Sequence, residues 1–544
     1  MILFAPKAYG LAESTGPDGS NAQAVHQLGE TGRDVNVGLI ASRNILTTHE
    51  AFYDKDSNGL PVGATHAFNH DCTGSGTQVF DHDTWMAGIV ASRGGVSHPN
   101  DVGAAPGANI HSARILDAGS AIYFHYIAGA LDKLVTDHNC RVIVTGLDLS
   151  PDPNGQSQCT LLYDYYACQH NVVFANAAGN SNTVITVFGD AYNGITTGGL
   201  IVTTADVYDK VGILSGSGPT SDGRRKPDVT APSQRQIVPT STSDTAWTDP
   251  NWVYWAPPNG YTSLSAPHVA GVAALLLGLA DDTPEPNDGH NEVIKAVIVN
   301  STFPNVNDKS GNSTNPADVN NIWHKDRGYG RVDALRAYEL LNAGRASPGE
   351  VITQPKGWAF DTIAAQQQHT YTIAAQKNHR LLATLTWNRR IEWDDSSHNG
   401  EIDDGELSSH PADLDLRIYE PSGPNVIFSE QNNGLDPNDN LEKCDILLAA
   451  DGNYILKIVN DSDNKETADY GFALELLPPT PGDFEPVDYI VDYSDVATLA
   501  RQWLLVGPGL VADLIGDDNT VNMRDFAKFV THWLVIDPAY YRYP

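Results

Sequence analysis

Between residues 35 and 300 the apolar positions fall into two alternating kinds of run. Val35–Ile40, Val142–Val144, Asn171–Ala177 and Gly199–Thr204 are short, apolar and rich in β-branched residues, the pattern of buried parallel strands. Ala121–Thr136, Ser265–Ala280 and Asn291–Val299 are longer runs of helical character between and after them. The alternation predicts an α/β domain with a parallel sheet flanked by helices. Beyond residue 357 the period changes. His369–Ala375, Arg380–Trp387, Asp413–Tyr419, Asn425–Ser429 and Tyr454–Val459 are short alternating runs split by turn clusters, which predicts an antiparallel β-sandwich. The final segment repeats itself with a period of 30 residues: Asp483–Leu504 pairs with Asp513–Leu534. Each copy is an acidic loop ending in Asp, followed by a helix that closes on Trp-Leu, so the segment predicts a small α-helical pair. Two Gly/Pro-rich seams, Asn342–Lys356 and Leu477–Pro486, set the boundaries at 1–345, 346–477 and 478–544.

Composition narrows the function classes. With 544 residues, 41% hydrophobic and 18% charged, the chain has ample material for packed cores, which excludes global disorder. A net charge of −34 argues against electrostatic binding of nucleic acid or of an anionic membrane. Much of the excess lies in residues 391–470, with more in the terminal repeat. The longest apolar run, Val269–Leu279, falls short of the roughly 20 residues that span a bilayer, so no membrane insertion is expected. The five cysteines are too few and too scattered for a disulfide scaffold and show no zinc spacing; Cys159 and Cys168 are near enough in sequence to close a small loop or to remain free. Met1–Gly10 is too short for a signal peptide.

Three segments carry chemistry. Gly260-YTSLSAPHVAGVAALLL places Ser263 at the start of a small-residue helix, where the dipole and free N–H groups favour a nucleophile whose attack creates an oxyanion. Asp81-HDTWMAGIVAS places His82 at the start of a second such helix, and Phe174-ANAAGN places Asn180 just past a buried strand. Alone, each is ordinary: a capping serine, a structural histidine, a turn asparagine.

Together they resemble the subtilisin family of serine proteases. Gly260-YTSLSAPHVAG matches its G-T-S-M-A-x-P-H-V-A-G motif, His82-DTWMAG its H-G-T-x-V-A-G motif, and Ala177-AGN its A-A-G-N motif. Gly218-PTSDGRRKPDVTAP and Gly328-YGRVDA match further family signatures, so the resemblance covers residues 20–345. It implies a mainly parallel sheet with helices on both faces, Ser263 as nucleophile, His82 as general base, Asn180 as oxyanion donor, and a protein or peptide substrate. The fourth element departs. Aligning Val35-NVGLIASRNILTTHEAF with the family's V-x-V-x-x-x-D-[ST]-G puts Ala41 at the position of the missing Asp and Arg43 at that of a Gly, with His49 following at the usual distance. Alanine can neither fix the imidazole tautomer nor stabilise the imidazolium, and loss of that carboxylate costs about 10⁴-fold in kcat. Asp83 also replaces a glycine, and the groove segment Gly146-Leu147-Asp148 carries a carboxylate where the family has another glycine. The resemblance therefore implies an inactive or strongly impaired pseudoprotease with a binding or scaffold role. The alternative is an active serine endopeptidase in which Asp81, Asp83, Asp54 or Asp56 orients His82. Adjacent helix positions diverge, which makes Asp83 the geometrically poor choice.

The middle segment resembles, more weakly, the sandwich domains that follow secreted subtilases, through Asp413-LDLRIYEPSG and Asp451-GNYILKIVN. Its acidic turns at Asp394–Asp395 and Glu401–Glu406 have calcium-type oxygens or are simply solvated. The repeat resembles a type I dockerin. That implies calcium held by Asp483, Asp488, Asp492 and Asp495 in one copy and Asp513, Asp518, Asn522 and Asp525 in the other. It also implies docking to a cohesin-like or envelope partner, and an extracytoplasmic location: secreted, periplasmic or cell-envelope. The first-to-last Asp spacing is one longer than the consensus and the turn glycine is absent.

Overall fold

The computed structural model describes residues 10–149, 152–203, 207–241, 251–255, 259–314, 322–421, 423–429, 439–462, 466–479, 482, 493–507, 510–515 and 519–532. Eight strands form the first sheet: β1 (Asn36–Ala41), β2 (Ala67–Asp71), β3 (Asn109–Arg114), β4 (Val142–Thr145), β5 (Val173–Ala177), β6 (Ile195–Val202), β7 (Tyr208–Val211) and β8 (Val229–Pro232). The spatial order is β8-β6-β5-β4-β1-β3-β2, all parallel, with β7 antiparallel to β6. Helices α1 (Asp81–Ala91) and α4 (Ala266–Asp282) share a core with Val37, Leu39 and Ala41. Helices α2 (Phe124–Asp132) and α3 (Gln158–His170) pack on the other face with Ile40, Ala113 and Ile143. Alternate residues of β1 thus feed two cores, which is why the central strands read as unbroken apolar runs.

The expected runs become β1, β4, β5, β6, α2 and α4, with ends shifted by a few residues. Strand β2 escapes the sequence pattern because it lies at the sheet edge and carries Asn69, His70 and Asp71, and β3, between β1 and β2, because Asn109, His111, Ser112 and Arg114 interrupt its apolar run. The run Ala121–Thr136 is not one helix: α2 begins at Phe124 and widens into a π-helical turn at Lys133–Asp137. The stretch Thr262–Asp282 has the length and apolarity to cross a bilayer, yet it is wholly buried as the central helix of this domain. Cys159 and Cys168 do not pair. Both lie on α3, nine residues apart, so about 13 Å of helix rise separates them, twice what a disulfide spans.

Helices α5 (Asn291–Asn300) and α6 (Ala334–Asn342) lead into a mostly β-sheet region. One sheet orders Val351–Ile352, Gln368–Ala375, Gly452–Asn460, Leu414–Tyr419 and Val426–Ser429; the other orders Lys356–Ile363, Ala468–Leu477, Arg380–Trp387 and Leu441–Leu447. Tyr371, Leu416, Ile418 and Leu456 from the first share a core with Leu381, Leu385, Phe472 and Leu474 from the second. This region is seated on the α/β domain through α5. A side chain at Gly471 would collide with the Glu292 backbone (2.2 Å), so its absence lets the sheet approach the helix directly. Lys443 caps α5, donating to Val299 O at 2.7 Å and Thr302 Oγ1 at 3.1 Å, while Thr386 Oγ1 donates to Glu292 O at 2.7 Å. The C-terminal segment has helices α7 (Tyr493–Gln502) and α8 (Met523–His532) and a small core of Leu499, Ala512, Val521 and Phe529.

Candidate active site

Ser263 sits in the single turn Thr262–Leu264 that precedes α4 and is 3% exposed. His82 is the second residue of α1 on the neighbouring helix. Its Nε2 lies 2.8 Å from Ser263 Oγ, within hydrogen-bond range for removal of the hydroxyl proton. Two helices 181 residues apart in sequence thus meet at one bond.

The other side of the ring carries the departure. Ala41 ends β1 fully buried and offers no acceptor. Among the described residues, the carboxylate paired with His82 Nδ1 belongs to Asp83, with Oδ1 at 3.7 Å. Asp83 is 1% exposed, and it is held where the chain leaves β1: Oδ2 accepts from Arg43 N at 2.8 Å and Oδ1 from Ser42 N at 3.4 Å. The expectation that adjacent helix positions diverge fails here because this is the first turn of α1. There the two backbone N–H groups pull the Asp83 carboxylate back toward the strand end. The other acids are committed elsewhere: Asp81 accepts from Ser241 N at 2.7 Å, Asp54 pairs with Arg93 and His66 at 3.2 Å, and Asp56 closes its own turn on Asn58 N and Leu60 N. His49, despite its motif position, is buried beside Trp252 and bonded to Asn251 O at 2.6 Å.

Asn180 is tied to the nucleophile's turn. Its Oδ1 accepts from Thr262 N at 2.9 Å and Thr262 Oγ1 at 3.2 Å, and Thr262 Oγ1 accepts from Gly179 N at 3.1 Å. The carbonyl end is therefore occupied, and the amide nitrogen has no hydrogen-bond partner among the described residues, which leaves a donor beside Ser263. Gly146 borders the serine closely: a Cβ there would lie 3.0 Å from Ser263 Cβ and 2.5 Å from Met86 Sδ. Leu147 is half-buried next to it, and exposed Asp148 accepts from Asn180 N at 3.4 Å. Behind the serine, burial pushes His268 down to about 3, so this imidazole is neutral and bonds Gln236 Nε2 at 2.9 Å.

Of the expected calcium ligands, Asp483, Asp488, Asp492 and Asp518 lie outside the described residues. Asp495 is buried. Asp525 spends both oxygens on N–H groups of its own loop, Leu514 at 2.7 Å, Ile515 at 2.9 Å and Asn522 at 2.8 Å. Burial would raise this carboxyl, yet those bonds hold it below the usual range. Asn522 Oδ1 accepts from Arg524 N, and Asp513 Oδ2 from Asn519 N, leaving Asp513 Oδ1 as a buried oxygen with no bond. Among the described residues this loop presents one unbonded carboxylate oxygen, fewer than the six to eight that calcium takes. The acidic turn of the β region closes on itself likewise. Glu406 is pushed down to about 2 by the Trp393 indole N–H and the Ser397 backbone, and Asp395 accepts from Asn399 N and Gly400 N.

A parallel sheet with a serine–histidine pair at helix starts on one face defines a subtilisin-type serine peptidase domain. The Subtilase family model matches residues 44–331, more than half of the chain, and the chain belongs to that family. It is similar to Pyrolysin of Pyrococcus furiosus, 28% identical over 268 residues, which is 44% of this chain and 18% of that protein; the match spans less than a fifth of the relative's length. Among solved structures it is similar to the Prenylagaramide maturation protease PagA, at 18% identity and a TM-score of 0.43, over 59% of this chain and 98% of that one.

Proposed function

We propose that this chain is a serine endopeptidase whose orienting carboxylate has moved from the end of β1 to Asp83. The supporting observation is the Asp83 carboxylate, buried, anchored by the two N–H groups that follow Ala41, and 3.7 Å from His82 Nδ1. In this reading His82 Nε2 takes the Ser263 proton as Oγ attacks a peptide carbonyl, and Asn180 donates to the developing oxyanion. The imidazolium formed faces Asp83; at 3.7 Å and an effective dielectric near 20 their attraction is about 4 kcal/mol. The separation exceeds a hydrogen bond, so the tautomer is held less firmly than in a full triad and turnover is slower. Gly146 gives a substrate backbone close access, and Asp148 disfavours acidic side chains in that part of the groove.

A fluorophosphonate probe and an unfolded protein substrate test this. Wild type is expected to label at Ser263 and to cleave, and Ser263→Ala to do neither. Asp83→Asn keeps an acceptor for Arg43 N and is expected to lower kcat by about 10²-fold or more. A folded wild-type chain that neither labels nor cleaves would overturn the proposal in favour of a binding or scaffold protein, the reading that Ala41 supports.

The terminal repeat is proposed to dock a protein partner. Met523, Phe526 and Val530 project from one side of α8 at 64, 40 and 48% exposure, an apolar stripe that the small core does not cover. Phe526→Asp is expected to abolish partner association with no loss of melting temperature.

A further inference from the structure

Away from Ser263, on the sheet face covered by α2, three histidines converge: His70 from edge strand β2, His111 from β3 and His138 from just beyond the π turn. One ring nitrogen of each lies within 4.8 Å of the other two, and His70 Nε2 is 3.2 Å from His111 Nδ1. The rings lie nearly parallel, His70 on His138 at 4.2 Å and His111 on His138 at 4.7 Å between centroids, with Phe68 stacked on His111 at 4.8 Å. Among the described residues no carboxylate joins the group within that distance.

We infer that His70, His111 and His138 form a site for a divalent transition metal, zinc before others, that pins the edge strand β2 and the end of α2 to the sheet. Zinc takes nitrogen ligands at 2.0–2.1 Å, which sets tetrahedral N···N distances at about 3.4 Å. His70 Nε2 and His111 Nδ1, hydrogen-bonded at 3.2 Å, stand close to that spacing, and metal binding displaces the proton they share. His138 stands in the short connection between the π turn and β4, with a ring nitrogen within 4.8 Å of the other two. Its position is built rather than incidental. The π turn at Lys133–Asp137, a rare arrangement found mostly at functional sites, feeds directly into His138, whose carbonyl is fixed by Asn36 Nδ2 at 2.7 Å. Lys133 and Asp137, paired at 2.7 Å, both face His70, so their charges largely offset each other there. His70 and His138 are only partly buried, which leaves a fourth position for water. His82 and Ser263 lie on helices packed against the opposite face, so the role is structural and independent of peptidase activity.

The test uses the untagged full chain after chelator treatment. Zinc titrated by calorimetry is expected to bind one equivalent at micromolar affinity or tighter and to raise Tm by several degrees. Cobalt(II) is expected to give the visible absorption of a four-coordinate nitrogen site. His138→Gln and His70→Gln, at partly exposed positions, are expected to keep the apo Tm within a few degrees and to lose both the equivalent of metal and the Tm shift, with Ser263 labelling unchanged. Zinc that binds equally to both variants, or that leaves wild-type Tm unmoved, would overturn the site.

Discussion

Asp83 and Ala41 sit 42 residues apart in sequence and share one task in space. Ser42 N and Arg43 N, freed by the end of β1, need an acceptor, and Asp83 satisfies them while turning toward His82. The relocation makes a testable exchange. Ala41→Asp alone sets two buried carboxylates against the same N–H groups, and like charges there disfavour each other's ionisation. Ala41→Asp combined with Asp83→Gly returns the family arrangement. The double variant is expected to turn over at least as fast as wild type, and the single variants to be strongly non-additive in kcat. Additive effects would show that the two positions do not share the His82 contact. His82, Ser263 and Asn180 were legible in the sequence because each stands in a long, rigidly spaced motif. The partner on Nδ1 was not, because reach across a strand end depends on where the Asp83 carboxylate folds, and no spacing rule encodes that.

At the scale of elements, α4 follows the turn that carries the nucleophile and hides His268 within it. This group's folded value, about 3, lies below its ordinary 6.5, so between those limits the unfolded chain binds a proton that the folded chain does not. Stability therefore is complete above pH 6.5 and falls as pH drops toward 3. Denaturant midpoints measured between pH 7 and 4 are expected to decline less steeply in His268→Gln than in wild type. Helix α5 depends on a different device. Its last carbonyls are capped by Lys443 from the β region together with local Thr302, whose Oγ1 also donates to Val299 O at 2.9 Å. Lys443→Met removes the cross-region donor while Thr302 keeps its own, and a loss of about 1–3 kcal/mol is expected in urea denaturation.

Over the whole molecule, the α/β domain and the β-sheet region are joined by buried charge. Arg389 donates from Nε to Asp164 at 2.7 Å and from Nη2 to Gly155 O at 2.6 Å, and it shares the Tyr192 ring with Arg224. Arg336–Glu475 at 2.7 Å and Arg225–Asp439 at 2.8 Å add two more such links. Removing one partner strands a buried charge, so Arg389→Met is expected to cost about 3–5 kcal/mol and to lower the melting of both regions together. Two separate calorimetric transitions in wild type would show that the regions are not one cooperative unit.

The sequence by itself determined what depends on local repetition: the periods that separate parallel sheet from alternating strands, and the motifs that set serine, histidine and asparagine at element ends. Only the tertiary structure decided what depends on convergence. Edge strand β2 and its inner neighbour β3 are broken by polar residues, yet they bring His70 and His111 to His138. A capping lysine crosses between regions, and the Asp83 carboxylate folds back onto the end of β1, 3.7 Å from His82. Covalent spacing constrains neighbours within a turn or a strand pair; side chains that meet through a sheet are placed by packing, which the order of residues alone leaves open.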